Sequence, residues 1–252
     1  MENRYGKLAS WVYHIDKPTG RSFGDIEYYL RRLGKGIDGP ILEPAVGTGR
    51  FFIPLLEAGL PMEGFDASPE MLEYCRGECE RRGLRAPLWL QSFEEFSSPA
   101  RYAAIVLPAG SFHLVTNADG AKQLLQRFVD ALLPGGLLML DLLPPDGFPG
   151  PTENTRSWQV GEGELLRLRE ECISVDHRSQ TTLSHLHYEH WKNGKLLKSE
   201  LEPFRMRWWG LEEFTLALQS VGFADICLNG NYRPGSGVQK GDEVITVEAV
   251  KR

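Results

Sequence analysis

Short apolar strands alternating with helical stretches predict an α/β fold built on a parallel sheet that is covered on both faces. Three observations carry this. Ile41-Leu42, Pro61–Phe65, Pro87–Gln91, Ala103–Leu107 and Leu137–Leu142 are short runs of strand length, bounded by Gly, Pro or Asp. Helical patterns at Arg50–Ala58, Ser68–Arg82 and Gly120–Leu133 separate most of them. Leu137–Leu142 is apolar at both parities, as expected of a strand buried on both faces.

Two amphipathic segments come first. Leu8, Trp11, Val12 and Ile15 mark one, and Ile26, Tyr29, Leu30 and Leu33 the other, with Pro18, Gly20 and Gly24 between them. Ser68 is a good N-cap, and Pro69 a good first residue, for the helix after the second strand. Pro134-Gly135-Gly136 closes the helix before the fifth strand. Beyond Pro144-Pro145 the pattern changes. Residues 146–156 read as a loop, and segments 164–176, 180–192 and 195–208 as an antiparallel sheet with one wet face. Asn193-Gly194 is a hairpin signal. A helix at Leu211–Val221, stopped by Gly222, and strands near 224–229 and 243–250 follow. The organisation expected is an N-terminal helical lid (1–36), a nucleotide-type core (37–145), an antiparallel β insert after strand five (146–208), and a helix and strand pair completing the core (209–252).

A formal net charge of −6 argues against nucleic acid or anionic membrane as partner, because phosphate neutralisation needs clustered Lys and Arg. Cys75, Cys79, Cys172 and Cys227 lack paired spacing and read as reduced thiols. The opening stretch shows no apolar run of signal-peptide type, and the reading is a soluble cytoplasmic protein, monomer or homodimer.

Glu43-Pro44-Ala45-Val46-Gly47-Thr48-Gly49 joins the first strand to its helix. A Gly-rich turn there lets a ligand approach the backbone. Two features sharpen it. Phe52 occupies the place of the third glycine of the dinucleotide fingerprint, where close helix–strand packing needs no side chain. Glu43 would repel a pyrophosphate but suits a cationic ligand. Asp66 ends the second strand seventeen positions after Gly49, where a carboxylate can accept two ribose hydroxyls.

Glu43-x-Ala45-x-Gly47-x-Gly49, Phe65-Asp66-Ala67-Ser68-Pro69-x-Met71-Leu72 and Leu132-x-Pro134-Gly135-Gly136 together resemble the motifs of class I S-adenosylmethionine (SAM)-dependent methyltransferases of the small-molecule type. The resemblance implies a Rossmann-like seven-stranded sheet with SAM as cofactor. The glycine turn would lie along the methionine part. Asp66 would hold the ribose, Ala67 and Met71 would flank the adenine, and Gln91, Ser92 and Phe93 would meet its amino edge. Leu107 would lie beside the transferred methyl. Ala45 departs from the family, in which glycine is commoner. Core packing is the other reading of Met71 and Phe93.

Methyl transfer is an in-line displacement that needs a base only when the acceptor must first lose a proton. No Asn/Asp-Pro-Pro-Tyr/Phe element follows strand four, which lowers the nucleic-acid reading. The run Ala109-Gly110-Ser111-Phe112-His113 is loosely similar to that of small-molecule and amino-sugar N-methyltransferases. His113 is a candidate base or substrate contact, or else a structural histidine. Tyr13, a second candidate catalytic residue, and His14 lie on the segment that forms a lid in related enzymes. Arg205, Arg207 and Trp208 suit an acceptor with a ring or a negative group, unless the insert packs on a second chain. His185, His187 and His190 do not share one strand face, and no metal is expected. The expectation is a SAM-dependent methyltransferase acting on N or O of a small molecule. The alternatives are an NAD-type oxidoreductase on a related fold, or a SAM-binding protein without transferase activity.

Overall fold

The computed structural model describes residues 5–34, 36–148 and 152–252. Five strands, β1 (Ile41–Pro44), β2 (Met62–Asp66), β3 (Leu88–Leu90), β4 (Tyr102–Leu107) and β5 (Leu132–Leu142), run parallel. β10 (Phe223–Gly230) and β11 (Ile245–Lys251) complete the sheet in the order β10-β11-β5-β4-β1-β2-β3. β11 is antiparallel to both of its neighbours. Every residue of β1 and β4 is buried, as the apolar runs require.

Helices α2 (Asp25–Leu33), α3 (Phe52–Glu57) and α4 (Pro69–Arg81) pack Tyr29, Phe51, Phe52, Leu55, Leu72 and Cys75 into one apolar layer. The second layer is built around Phe65, Phe96, Phe128, Phe214 and Leu218, with α5 (Ala118–Ala131) and α6 (Leu211–Val221) contributing. Ser68 caps α4 by accepting from the Met71 N–H at 3.1 Å.

The join between α5 and β5 differs from the sequence reading. The helix stops at Ala131, and Leu132 is already extended and paired with Tyr102. Leu137 pairs with Ala104, so Leu133–Gly136 form a bulge within the strand, with Gly135 at φ 74°. The Pro-Gly-Gly signal marks that bulge rather than the helix end.

A second sheet, β6-β7-β8-β9, is fully antiparallel. It comprises β6 (Glu153–Gly161), β7 (Glu164–Asp176), β8 (Thr181–Lys192) and β9 (Lys195–Arg207). β6 begins inside the stretch expected to be a loop. It is an edge strand with no fully buried residue: Arg156, Trp158 and Val160 alternate as half-buried positions, but its first three residues are exposed and carry no apolar signal. Asn193 (φ 49°) and Gly194 (φ 74°) turn the β8–β9 hairpin, both left-handed as a type I′ turn demands. Leu166, Leu168, Leu186 and Tyr188 of this sheet bury Leu8, Ala9 and Val12 of α1 (Lys7–Asp16). The sheet and α1 thus sit over the carboxyl ends of the parallel strands, where α/β proteins bind ligands.

Candidate cofactor and acceptor site

A cleft opens at the ends of β1, β2 and β4. The turn after β1 forms its floor. Ala45 (φ 59°), Gly47 (φ 58°) and Gly49 (φ 86°) are all left-handed. A Cβ on Gly49 would meet Ile53 Cδ1 at 2.7 Å and Cys75 Sγ at 2.9 Å, so this glycine supports the turn from beneath. Ala45 pays a left-handed penalty of about 1–2 kcal/mol, which explains the preference for glycine in related turns.

Asp66 anchors the turn. Its two oxygens accept from the Gly47 and Ser68 N–H groups, each at 2.8 Å, and its carboxylate lines the cleft at 8 % exposure. Burial raises its pKa, and the backbone donors oppose that. Glu43 lies behind the turn, 2 % exposed, with Oε2 meeting no hydrogen-bond partner. Burial holds its pKa well above the usual carboxylate range, against the pull of nearby Arg50. A buried acceptor of this kind suits a donor supplied by a ligand. Glu43 does not itself line the cleft; Tyr13 does, and it feels the Glu43 charge.

Phe65, Ala67, Met71, Gln91 and Phe93 form one end of the cleft, and Ser111 and Leu114 its far wall. Tyr5 and Tyr13 close it from above. Tyr5 is tied at both backbone atoms: its carbonyl accepts from Ser68 Oγ at 2.9 Å and its N–H donates to Glu202 at 3.0 Å. Among the residues expected from the sequence, Ala45, Gly47, Asp66, Ala67, Met71, Phe93 and Tyr13 meet here.

Other expectations are corrected. Ser92 bonds Glu95 and does not line the cleft, whereas its neighbours Gln91 and Phe93 do. Leu107 is fully buried inside the apolar layer and does not line the cleft, whereas Ser111 and Leu114 do. His14, one residue round the helix from Tyr13, stacks on Tyr74 and faces Glu78 at 3.4 Å. His113 is wholly buried. Its Nδ1–H donates to the Arg207 carbonyl at 2.6 Å, and its Nε2 accepts from the Leu143 N–H at 2.8 Å. Burial lowers its pKa to about 4. With both nitrogens engaged it has no lone pair for an acceptor's proton, and it clasps the insert to the core. Arg207 pairs with Glu213 at 2.7 Å and lies over Trp209, so it too is structural. Trp208 packs on Phe148 and His177 outside the cleft. Arg205 lines a neighbouring recess that shares Phe93 and Leu114 with the cleft.

Tyr5, Ser111 and Leu114 were missed. Tyr5 precedes α1 and carries no local signal, and Ser111 and Leu114 lie on a short 3₁₀ turn whose direction the sequence does not set. Among the described residues no cluster of three or more His, Cys, Asp or Glu could hold a metal ion. His190 is engaged by Glu164 at 2.7 Å. No helix among them is long and apolar enough to cross a membrane.

Residues 41–136 match the family model for a methyltransferase domain. The fold is shared almost end to end with an S-adenosylmethionine-dependent methyltransferase from Clostridium acetobutylicum, at a TM-score of 0.78, 16 % identity, and 98 % coverage of both chains. It is shared likewise with the sugar N-methyltransferase KedS8 from Streptoalloteichus, at a TM-score of 0.76, 17 % identity, and coverage of 96 % of this chain and 92 % of that one. In sequence, the chain is 32 % identical over 162 residues to a glycine/sarcosine N-methyltransferase of Halorhodospira halochloris, covering 63 % of this chain. The match spans 60 % of that relative's length. Residues 41–136 therefore resemble a methyltransferase domain, and the chain shares its fold with solved S-adenosylmethionine-dependent methyltransferases.

Proposed function

We propose that the protein transfers a methyl group from S-adenosylmethionine to an amine nitrogen of a small molecule. The observation that carries the reading is the pair of buried carboxylates on successive strand ends, Glu43 with an unpartnered oxygen and Asp66 lining the cleft, on either side of a left-handed turn. Asp66 keeps acceptor capacity for ribose hydroxyls beyond its two backbone bonds. Glu43 offers an unpartnered acceptor behind the turn, and a nearby ligand ammonium would favour its ionised form. Met71 and Phe93 provide apolar walls for a base. A pyrophosphate in the cleft would meet the Asp66 carboxylate, which disfavours a dinucleotide.

S-adenosylmethionine supplies an activated methyl on a sulfonium, so the protein's task is to position the acceptor. Tyr5 and Tyr13 line the cleft and would limit the access of water to a bound ligand. His113 is engaged, and burial raises the Tyr13 pKa, so neither takes a proton near neutral pH. An amine arriving as the free base needs no such help, whereas a hydroxyl would. The relatives named for N-methylation of glycine, sarcosine and sugars support the same choice.

Calorimetry tests this. S-adenosylhomocysteine should bind, NADH should not bind comparably, and Asp66→Ala should weaken S-adenosylhomocysteine about tenfold or more through lost charge-assisted hydrogen bonds. Methyl transfer to a panel of small amines, followed by mass spectrometry, then identifies the acceptor. Tighter NADH binding, or unchanged affinity in folded Asp66→Ala, would refute the reading.

A further inference from the structure

The segment after β4 carries Ser111 and Leu114 into the far wall of the cleft. It turns towards that wall through two successive left-handed residues, Ala109 (φ 57°) and Gly110 (φ 75°). Glycine adopts this conformation freely, and alanine does so only under constraint. Backbone held in such a region persists where the surrounding structure over-determines it, and it gathers at functional sites. Downstream, His113 is pinned between the Leu143 N–H and the Arg207 carbonyl. The strained end of the segment needs its own anchor.

Asp141 supplies it. This residue lies on β5, beside β4, and is wholly buried. Its Oδ2 accepts from the Ala109 N–H at 2.9 Å and from the Tyr232 hydroxyl at 2.8 Å. Its Oδ1 accepts from the Tyr29 hydroxyl at 2.9 Å and from the Thr246 hydroxyl at 3.0 Å. The three hydroxyls come from α2, from the connection between β10 and β11, and from β11 itself, so they fix the carboxylate from outside the segment. An ionised carboxylate only accepts, and it satisfies all four donors at once. A carboxamide of the same shape presents a donor to one pair of them. Asp141 does not line the cleft, and neither does Ala109, whose side chain is exposed. Substitutions at 109 therefore act through the backbone.

We propose that Asp141 is a positioning residue: through the Ala109 N–H it holds the left-handed turn that presents Ser111 and Leu114 to the cleft. The proposal rests on the methyltransferase reading for its ligand, and it adds a residue outside the cleft that shapes the cleft wall.

Calorimetry with S-adenosylhomocysteine at pH 8 tests the proposal. At that pH the Asp141 carboxyl, raised by burial to about 6, is ionised. Asp141→Asn weakens S-adenosylhomocysteine about tenfold, because the turn loses its charge-assisted hydrogen bond. Asp141→Asn combined with Ala109→Gly recovers most of that loss, because glycine holds the turn without help. A carboxylate that merely stabilised the fold would not be rescued at position 109. Ala109→Val keeps Asp141 intact and makes the left-handed conformation costlier, so it also weakens S-adenosylhomocysteine and remains informative should Asp141→Asn not fold. The proposal is overturned if folded Asp141→Asn binds as wild type does, if Ala109→Gly restores none of the lost affinity, or if Ala109→Val leaves affinity unchanged. Failure of wild type to bind S-adenosylhomocysteine at all would instead refute the methyltransferase reading, and this proposal with it.

Discussion

The parallel sheet and the antiparallel insert serve the same cleft by different means. The parallel sheet contributes side chains and turns: Asp66, the Ala45–Gly49 turn, Met71 and Phe93 all sit at or just beyond its strand ends. The insert contributes position. Glu200 and Glu202 accept the Leu8 and Tyr5 N–H groups, at 2.9 and 3.0 Å, and so hold the roof. The Arg207 carbonyl holds His113. The two sheets also treat apolar surface differently. β4 is buried throughout, whereas Leu197 and Leu201 on the edge strand β9 are 56 % and 60 % exposed. A sheet covered on both faces fixes its turns tightly enough for ligand chemistry, and a one-sided sheet is free to act as a clamp.

Cutting the clamp should have the largest effect on stability. His113→Ala leaves the Leu143 N–H and the Arg207 carbonyl without their partner and opens a cavity at a fully buried position. A loss of about 3–5 kcal/mol in denaturant unfolding is expected, with S-adenosylhomocysteine affinity nearly intact. A loss of affinity larger than the loss of stability would return His113 to the site itself.

The second expectation concerns pH. Asp141 is buried at the end of β5, where its carboxylate accepts from the Ala109 N–H and from the Tyr29, Tyr232 and Thr246 hydroxyls. Burial raises its pKa to about 6. The folded state therefore holds a proton that the unfolded chain has released, and stability contributed by Asp141 falls as pH rises from about 4 to about 6. His113 leans the other way. Its folded pKa of about 4 lies below the ordinary histidine value, so its contribution is full above about 6.5 and is lost as pH falls towards 4. Each slope is about 1.4 kcal/mol per pH unit, and in wild type they oppose each other. Asp141→Asn should steepen the rise of stability between pH 4 and 6, and His113→Gln should reverse it. Unfolding curves at several pH values measure both. Parallel curves for the two variants would break the contrast between core and clamp.

The smallest effect is expected at the insert's hairpin. Gly194→Ala places a Cβ at φ 74° with open space around it, so only backbone strain applies. A loss of about 1 kcal/mol, with unchanged S-adenosylhomocysteine binding, would show that local strain in the clamp does not reach the cleft.

The legible parts of the site are those written in backbone-specific residues. Glu43, Gly47, Gly49 and Asp66 announce a left-handed turn and an acidic strand end because few other residues do those jobs. The helix at Leu211–Val221 was legible to the residue because its apolar period and Gly222 agree. The start of β6 was not, because Glu153, Asn154 and Thr155 are exposed polar residues on an edge strand. Nor were the directions of His14 and His113, each one position from a residue that lines the cleft, or of Leu107, four positions before Ser111.

The sequence by itself determined the order of strands and helices, the turn chemistry after β1 and the acidic pair, since these depend on neighbours a few residues apart. Only the tertiary structure decided which side chains face the cleft, that His113 is a clasp, and that Lys17 lies against Tyr13 with no ion-pair partner among the described residues. Those outcomes depend on Arg207, Leu143, Arg156 and Arg50, which lie from 30 to 139 residues away along the chain. Burial and hydrogen-bond competition act between such distant groups only after the chain has closed.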